Sequence, residues 1–156
     1  MNVREKLKSL NLDLPVASKP LAAYVPAVKT GKLVFTAGQL PLVDGKIPHV
    51  GKVGKDVSQE DAKEMAKVCA LNALAALNLV DDVDNVKKIV RIVCYVNGVS
   101  GFNNQPFVAN GASELFKEIW GETGVGARSA ITVADLPLNS PVEIELIFEL
   151  KKKYTE

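Results

Sequence analysis

Apolar and polar residues alternate most regularly near the C-terminus. Between residues 142 and 150 every second residue is apolar, and the positions between them hold Glu143, Glu145, Ile147 and Glu149. A period of two predicts a β-strand with one apolar face and one mostly acidic face. Residues 127–135 alternate more weakly and predict a further strand. Its two faces hold Ser129, Ile131 and Val133 on one side and Arg128, Ala130 and Thr132 on the other.

These two strands predict an antiparallel hairpin, closed by a turn over residues 136–141 that two prolines bound. Pairing of Asp135 with Val142 would place Arg128 opposite Glu149, on the face of the glutamates. It would place Ile131 and Val133 on the apolar face, together with Ile144 and Leu146. Arg128 would then lie about 20 Å from Glu143 along the strand. The two side chains could therefore meet only if Glu143 came from a second copy of the chain.

Helical spacing of apolar residues appears in three other places. A short pattern at residues 3–10 predicts a helix within an N-terminal extension, residues 1–19. A longer stripe begins after Ser58, a helix-capping residue, and an acidic stretch closes it. A third stripe, from Val108 to Ile119, ends near Trp120 and Gly121.

The remaining patterned segments predict strands at residues 22–29, 33–40 and 86–96, the first two forming a hairpin. The last of these would place Val90, Ile92, Cys94 and Val96 on one face. The predicted elements follow the order strand, strand, helix, strand, helix, strand, strand. This order predicts an α+β fold with helices on one face of a mixed sheet. Residues 1–156 contain no repeat or linker, so a single domain is expected. Self-association would cover the exposed face of its sheet.

The composition is that of a globular protein without a bulk charge. The chain has 156 residues and a formal net charge of +1. This charge is too small to attract the phosphate backbone of a nucleic acid. No segment is long and apolar enough to span a bilayer, and the N-terminus lacks the pattern of a signal peptide. We therefore expect a cytoplasmic protein. Cys69 and Cys94 lie in apolar surroundings and are expected to be buried and unpaired.

The sequence lacks the residues that several kinds of functional site require. The single histidine, His49, and two separated cysteines cannot assemble a usual zinc site. Residues 51–55 contain glycine and lysine, but they lack the spacing of a phosphate-binding loop. What remains is arginine, carboxylate, amide and tyrosine chemistry.

Three separated motifs resemble the Rid/YjgF family, whose members often carry the label endoribonuclease L-PSP. They are Ala-Arg-Ser at 127–129 followed by Leu-Pro at 136–137, Val-Glu-Ile-Glu at 142–145, and Thr-Ala-Gly-Gln-Leu-Pro at 36–41. Asn110 also matches an asparagine of the family. Order and spacing agree over roughly residues 20–150. The longer segment 101–113 resembles a branch somewhat longer than RidA itself.

The resemblance implies a chorismate-mutase-like subunit in a homotrimer, with ligand clefts between subunits. RidA proteins hydrolyse reactive 2-imino or 2-enamino acids to 2-oxo acids and ammonia, with no metal or cofactor. By position, Arg128 would bind the substrate carboxylate and Glu143 would orient or deprotonate the attacking water. The backbone of Ala130 would help to hold that water. Tyr24 would line the cleft, Gly38 would offer a backbone contact, and Asn110 would support the site.

Two positions depart from the family pattern, and three functions stay open. Ala130 replaces a common cysteine, and Gly126 replaces a proline or histidine. An imine or enamine deaminase is the first interpretation. A sensor or carrier that binds small carboxylates through Arg128 without chemistry is the second. An endoribonuclease is the third, and the missing basic field and the absence of a placed histidine disfavour it.

Overall fold

A computed structural model of the chain describes residues 1–20 and 22–152. The three predicted helices are confirmed, and the first of them begins at a capping box formed by Asn2 and Glu5. Ser58 caps the second helix by accepting a hydrogen bond from the Asp61 N–H at 3.1 Å. The elements in chain order are α1 (Val3–Ser9), β1 (Ala27–Thr30), β2 (Leu33–Thr36), α2 (Gln59–Leu77), β3 (Val86–Asn97), α3 (Gln105–Trp120), β4 (Ala127–Val133) and β5 (Val142–Leu150).

The five strands form one mixed sheet in the order β1-β2-β5-β3-β4. β3 and β4 run parallel, while the other neighbouring strands run antiparallel. The predicted hairpin of the last two strands is therefore wrong, because β3 lies between β4 and β5. Helix α3 links β3 to β4 as a parallel crossover, and residues 134–141 then carry the chain past the end of β3 to β5.

This topology also reverses the predicted faces of β4. Arg128 pairs with Ile92, which pairs with Leu146, so Arg128 lies on the face that the helices cover. Ile131 lies beside Tyr95, which pairs with Glu143, and these residues occupy the open face. The pairing of Arg128 with Glu149 is likewise wrong. The alternation along β4 separated its two faces correctly, but its small residues do not indicate which face is buried.

The core fills the space between the sheet and the two long helices. Apolar side chains of β2, β3 and β5 point towards α2 and α3, and α2 is buried continuously from Cys69 to Leu77. Both cysteines are buried and unpaired, as predicted. Gly111 of α3 lies against the backbone of α2, where a Cβ atom would be 1.9 Å from the carbonyl oxygen of Lys63. The absence of a side chain there lets the two helices approach closely.

The two strands nearest the N-terminus are shorter than predicted. The predicted strand at 22–29 is β1, which begins only at Ala27, after Pro26. The predicted strand at 33–40 ends as β2 at Thr36, and Gln39 then forms a separate bridge with Ile144. A bulge in β3 also turns Val90 away from the predicted face, where Ile89 is buried instead.

Helix α1 is fastened to the body of the domain by polar contacts at its first turn. The Val3 N–H donates to Asp84 at 2.7 Å, and the Arg4 guanidinium donates to Asp82 at 3.0 Å. These contacts orient the extension that continues towards residue 20. Among the described residues, no helix is long and apolar enough to cross a membrane.

Candidate functional site

Three of the residues singled out from the sequence line one cavity of about 430 Å³. Tyr24 comes from the segment before β1, Gly38 from the segment after β2, and Glu143 from the start of β5. We call this group the glutamate cleft. Its walls come largely from the irregular segments that flank the strands. The sequence predicted the three residues, and the structure brings them together.

Glu143 is held directly over the backbone of Gly38. A Cβ atom at position 38 would lie 2.1 Å from the Glu143 Oε1 atom, so the carboxylate occupies the space that a side chain would need. The resemblance implied a substrate contact at Gly38, and here a carboxylate of the same chain lies against it. Burial, and then the negative charge of Glu145, raise the pKa of the Glu143 carboxyl. A carboxylate of this kind accepts a proton more readily than an exposed glutamate does.

Arg128 belongs to a second group, at the edge of the sheet beneath α3. Its Nη1 atom donates hydrogen bonds to Asn110 Oδ1 at 2.7 Å and to Ser113 Oγ at 3.1 Å. We call Arg128, Asn110 and Ser113 the arginine cluster. Asn110 was predicted to support the site, and it does contact the arginine. Ser113 was missed, although its spacing of three residues from Asn110 places both on one helix face.

The two departures from the family pattern lie close to this cluster. Gly126 packs against β3, where a Cβ atom would be 2.8 Å from the Ile89 side chain and 3.0 Å from its carbonyl oxygen. A proline or histidine would therefore require β4 to shift. Ala130 is half-buried on the same face as Arg128 and pairs with Cys94. Burial raises the pKa of the Cys94 thiol to about 12, so this cysteine is no nucleophile in place of the missing one.

The glutamate cleft and the arginine cluster are separated within the chain. Arg128 and Glu143 differ by two strand spacings and by three residues along the sheet, which puts their Cα atoms about 14 Å apart. Their side chains also point to opposite faces of the sheet. The predicted hairpin would also have separated the two residues, but by about 20 Å along one shared face. Each group thus lacks the functional group that the other supplies.

Other reactive groups contribute little to either place. His49 lies 3.8 Å from Asp61 and is half-exposed, and it does not line the glutamate cleft. Within residues 1–20 and 22–152, no group of three or more histidine, cysteine, aspartate or glutamate side chains is arranged to hold a metal ion. The chemistry on offer is therefore that of a guanidinium and a half-buried carboxylate.

A protein family and a known protein both match nearly the whole chain. Residues 4–150 match the family described as "YjgF/chorismate mutase-like, putative endoribonuclease". Protein TCP17 of Trypanosoma cruzi is 35% identical over 150 residues, which cover 95% of this chain and 94% of that protein.

Two solved structures share both fold and sequence with the chain. Protein Atu1372 of Agrobacterium tumefaciens, of unknown function, is 39% identical with a TM-score of 0.87, covering 96% of this chain and 92% of its own. A protein of Shewanella oneidensis described as a "putative endoribonuclease" is 30% identical with a TM-score of 0.91, covering 96% of this chain and 100% of its own.

Proposed function

Because the chain belongs to the YjgF/chorismate mutase-like family, we propose that it hydrolyses reactive 2-imino or 2-enamino acids. The products would be a 2-oxo acid and ammonia. The reaction would take place in a cleft between two subunits of a homotrimer. In that cleft the arginine cluster of one subunit would face the glutamate cleft of the next.

The observation that carries this proposal is the division of the site into two incomplete halves. A small 2-imino acid is only a few ångströms long, whereas Arg128 and Glu143 lie about 14 Å apart on opposite faces of the sheet. One molecule cannot contact both groups of a single chain. A heterologous contact between copies, repeated around a threefold axis, would bring the missing half to every site.

The open face of the sheet supports assembly independently. Val28, Phe35 and Ile131 lie on this face, and each of them is 40–51% exposed. Large apolar side chains on one side of a sheet are typical of a surface that another protein covers. Packing of copies through this face would bury these residues.

Arg128 would bind the substrate carboxylate. Its hydrogen bonds among the described residues all use the Nη1 atom, which leaves the Nη2 and Nε donors for a carboxylate. A guanidinium can hold a carboxylate with two parallel hydrogen bonds, which fixes its direction as well as its position. Asn110 and Ser113 hold the guanidinium in place before the substrate arrives.

Glu143 would then act as the general base. It would accept a proton from a water molecule while the water oxygen forms a bond to C2 of the protonated imine, and the C=N π electrons move to nitrogen. Transfer of the proton from Glu143 to that nitrogen would allow the C–N bond to break. Ammonia would leave, and the C2 hydroxyl would lose a proton as the C=O bond forms. An enamine would first be protonated at C3 to give the same imine.

The family description also contains the word endoribonuclease. Cleavage of RNA benefits from a basic surface and from a histidine near the scissile bond. The net charge of +1 and the position of His49 outside the glutamate cleft both disfavour this activity. Binding of a small carboxylate without chemistry needs only the arginine cluster, so the experiment below includes it as an outcome.

The decisive test measures hydrolysis of freshly generated 2-aminoacrylate by the wild-type protein, Arg128→Ala and Glu143→Ala. Each single variant should lose most of the acceleration, on the order of 10²-fold or more. Coexpression of the two variants as mixed trimers should restore activity at about a quarter of the sites, because a wild-type arginine and glutamate then meet across some interfaces. Glu149→Ala, on the same strand, serves as the control.

The outcomes separate the alternatives. Recovery in the mixed protein supports a site shared between subunits. Loss in both variants without recovery would contradict the shared site. If the wild type gives no acceleration but binds 2-oxo acids in an Arg128-dependent manner, the protein is a carboxylate binder rather than a deaminase.

A further inference from the structure

A second cavity, of about 580 Å³, lies directly beside the glutamate cleft. The two cavities have four wall residues in common, namely Ser18, Lys19, Leu42 and Leu138. We call the second cavity the side chamber. Its volume is within the range of ligand-binding pockets. The four shared residues place the side chamber next to the cleft that holds Glu143.

Mainly apolar side chains line the side chamber. Val68 and Leu71 of α2 form one side, and Val16 of the N-terminal extension forms another. Asp13, Asp44 and Lys19 supply the charges, which sum to a small negative value and so disfavour an acidic ligand group there. A long apolar group would lose more water-exposed area in this chamber than a methyl group could.

The loop that carries Leu42, one of the shared wall residues, is hydrogen-bonded to α2. The Asn72 side chain, which is 5% exposed, donates hydrogen bonds from Nδ2 to the carbonyl oxygens of Leu40 at 2.9 Å and Leu42 at 3.1 Å. These bonds fasten the backbone around Leu42 to α2. The position of the Leu42 wall is therefore fixed before any ligand binds.

Leu138, another of the shared wall residues, has an unusual backbone conformation. Its φ angle is +57°, in the left-handed region that a branched side chain rarely adopts, and the next residue, Asn139, has a φ of +56°. A hydrogen bond from the Gly51 N–H to the Asn139 carbonyl at 2.8 Å holds this turn. The Leu138 side chain is nevertheless 57% exposed, so it gains little from burial in the chain alone. Residues in this conformation are enriched at sites that contact ligands.

From these observations we infer that the side chamber selects 2-imino acids with long, branched or aromatic apolar side chains. The inference rests on the proposed function. The carboxylate would be directed to Arg128 of a neighbouring subunit and C2 would lie near Glu143. The side chain would pass between Leu42 and Leu138 into the chamber. Substrates derived from alanine or serine would leave the chamber filled with water and would gain nothing from it.

The first test compares 2-imino acids generated in place from leucine and from alanine by an amino-acid oxidase. The wild type should prefer the leucine-derived substrate by about tenfold or more in kcat/KM, as expected for several buried methylene groups. Val68→Trp should fill the chamber and remove most of that preference. Glu64→Trp is the matched control, because Glu64 is exposed on the same helix and lines neither cavity. It should keep the preference.

A second variant guards against a folding defect in Val68→Trp. Val16 is 93% exposed, so Val16→Asp should fold normally while adding charge to the chamber wall. It should also lower the ratio of the two kcat/KM values. Val50→Asp, at an exposed position outside both cavities, is its control. Unchanged ratios in both chamber variants, or equal losses on both substrates, would overturn the inference.

Binding of the product acids distinguishes failure of the inference from failure of the proposed function. Calorimetry with 4-methyl-2-oxopentanoate and with pyruvate needs no catalysis. One outcome is that the larger acid binds about tenfold more tightly than pyruvate, with Val68→Trp removing the difference, although no imine is hydrolysed. That result would support the side chamber as a binding site and would contradict the deaminase activity. If imines are hydrolysed but the two acids bind equally, the deaminase stands and the chamber has no role in selection.

Discussion

The glutamate cleft and the arginine cluster are built in contrasting ways. The arginine cluster lies on regular elements, where one helix face supplies two partners that satisfy a guanidinium nitrogen. The glutamate cleft lies among irregular segments, and its carboxylate fits only because residue 38 has no side chain. One group is positioned by hydrogen bonds, and the other is positioned by the space left beside it. Different kinds of substitution should therefore displace the two groups.

The largest effect should come from filling the space beneath Glu143. Gly38→Ala places a methyl group where the carboxylate oxygen lies, so Glu143 must rotate away. We expect kcat/KM to fall about 10²-fold, as for other small displacements of a catalytic group. The melting temperature should change little, since the end of a flexible side chain can move. Steady-state kinetics and thermal unfolding would measure the two effects.

A double-mutant comparison shows whether Gly38 acts through Glu143. If it does, Gly38→Ala should cost nothing further when it is added to Glu143→Ala. Additive losses would show that residue 38 contacts the substrate itself.

A smaller effect should follow from disturbing the helix that carries Asn110 and Ser113. In Gly111→Ala the new methyl group meets the Lys63 carbonyl, so α3 must move away from α2. We expect the free energy of unfolding to fall by about 1–2 kcal/mol, because overpacking exceeds the gain in helix propensity. KM should also rise, since the partners of Arg128 move. Urea unfolding and kinetics would test both expectations.

Glu118→Ala is the matched control on the same helix, because Glu118 is exposed. It should change the free energy of unfolding by less than about 0.5 kcal/mol. A Gly111→Ala variant as stable as this control would contradict the close packing of α2 and α3.

The smallest effect concerns the pH dependence of stability. Folding raises the pKa of Glu143, so the folded state binds a proton more tightly than the unfolded state does. Ionised Glu143 therefore destabilises the fold, with an effect that is absent below its ordinary pKa and complete above its raised pKa. Glu143→Gln should be slightly more stable than the wild type at pH 7, and the difference should vanish in acid. Thermal unfolding at pH 7 and pH 4 would measure it.

Glu149, on the same strand, offers a control of opposite sign. Hydrogen bonds from Lys87 and Lys88 lower the pKa of its carboxyl. Glu149→Gln should therefore be less stable than the wild type at pH 7. The difference should disappear only as the pH falls through the lowered pKa of Glu149, below the range in which the Glu143 difference disappears. Equal behaviour of the two glutamine variants would contradict the assignment of burial as the cause at Glu143.

Several features of the fold followed from local patterns in the sequence. Ser58 marked the start of α2, and the alternation at residues 142–150 predicted β5 and its buried face. Pairing of the last two strands was wrong, because a short proline-bounded segment suggested a tight turn. Whether such a segment closes a hairpin or crosses a neighbouring strand depends on where α3 places β4, which is a long-range effect.

The sequence named candidate site residues, but it did not place them correctly within the chain. The family resemblance pointed to Arg128 and Glu143 as catalytic residues, and it named further contacts at Tyr24, Gly38, Asn110 and Ala130. Ser113 was missed although it lies three residues after Asn110 on the same helix face, because only the packing of α3 over β4 shows that this face contacts the arginine. The side chamber was also absent from the prediction, because Val16, Val68 and Leu138 come from three distant segments.

The sequence by itself determined the element types, the two buried cysteines and the chemistry available, because these depend on periodicity and on residue identity. Tertiary structure alone decided that β4 pairs with β3, that Arg128 lies under α3 and that Glu143 lies over Gly38. The physical reason is that sheet order, and with it the face that each side chain occupies, is fixed by packing between distant segments. In β5 one face is clearly apolar, so periodicity also predicts which face is buried. In β4 neither face is clearly apolar, so only packing against neighbouring elements decides it.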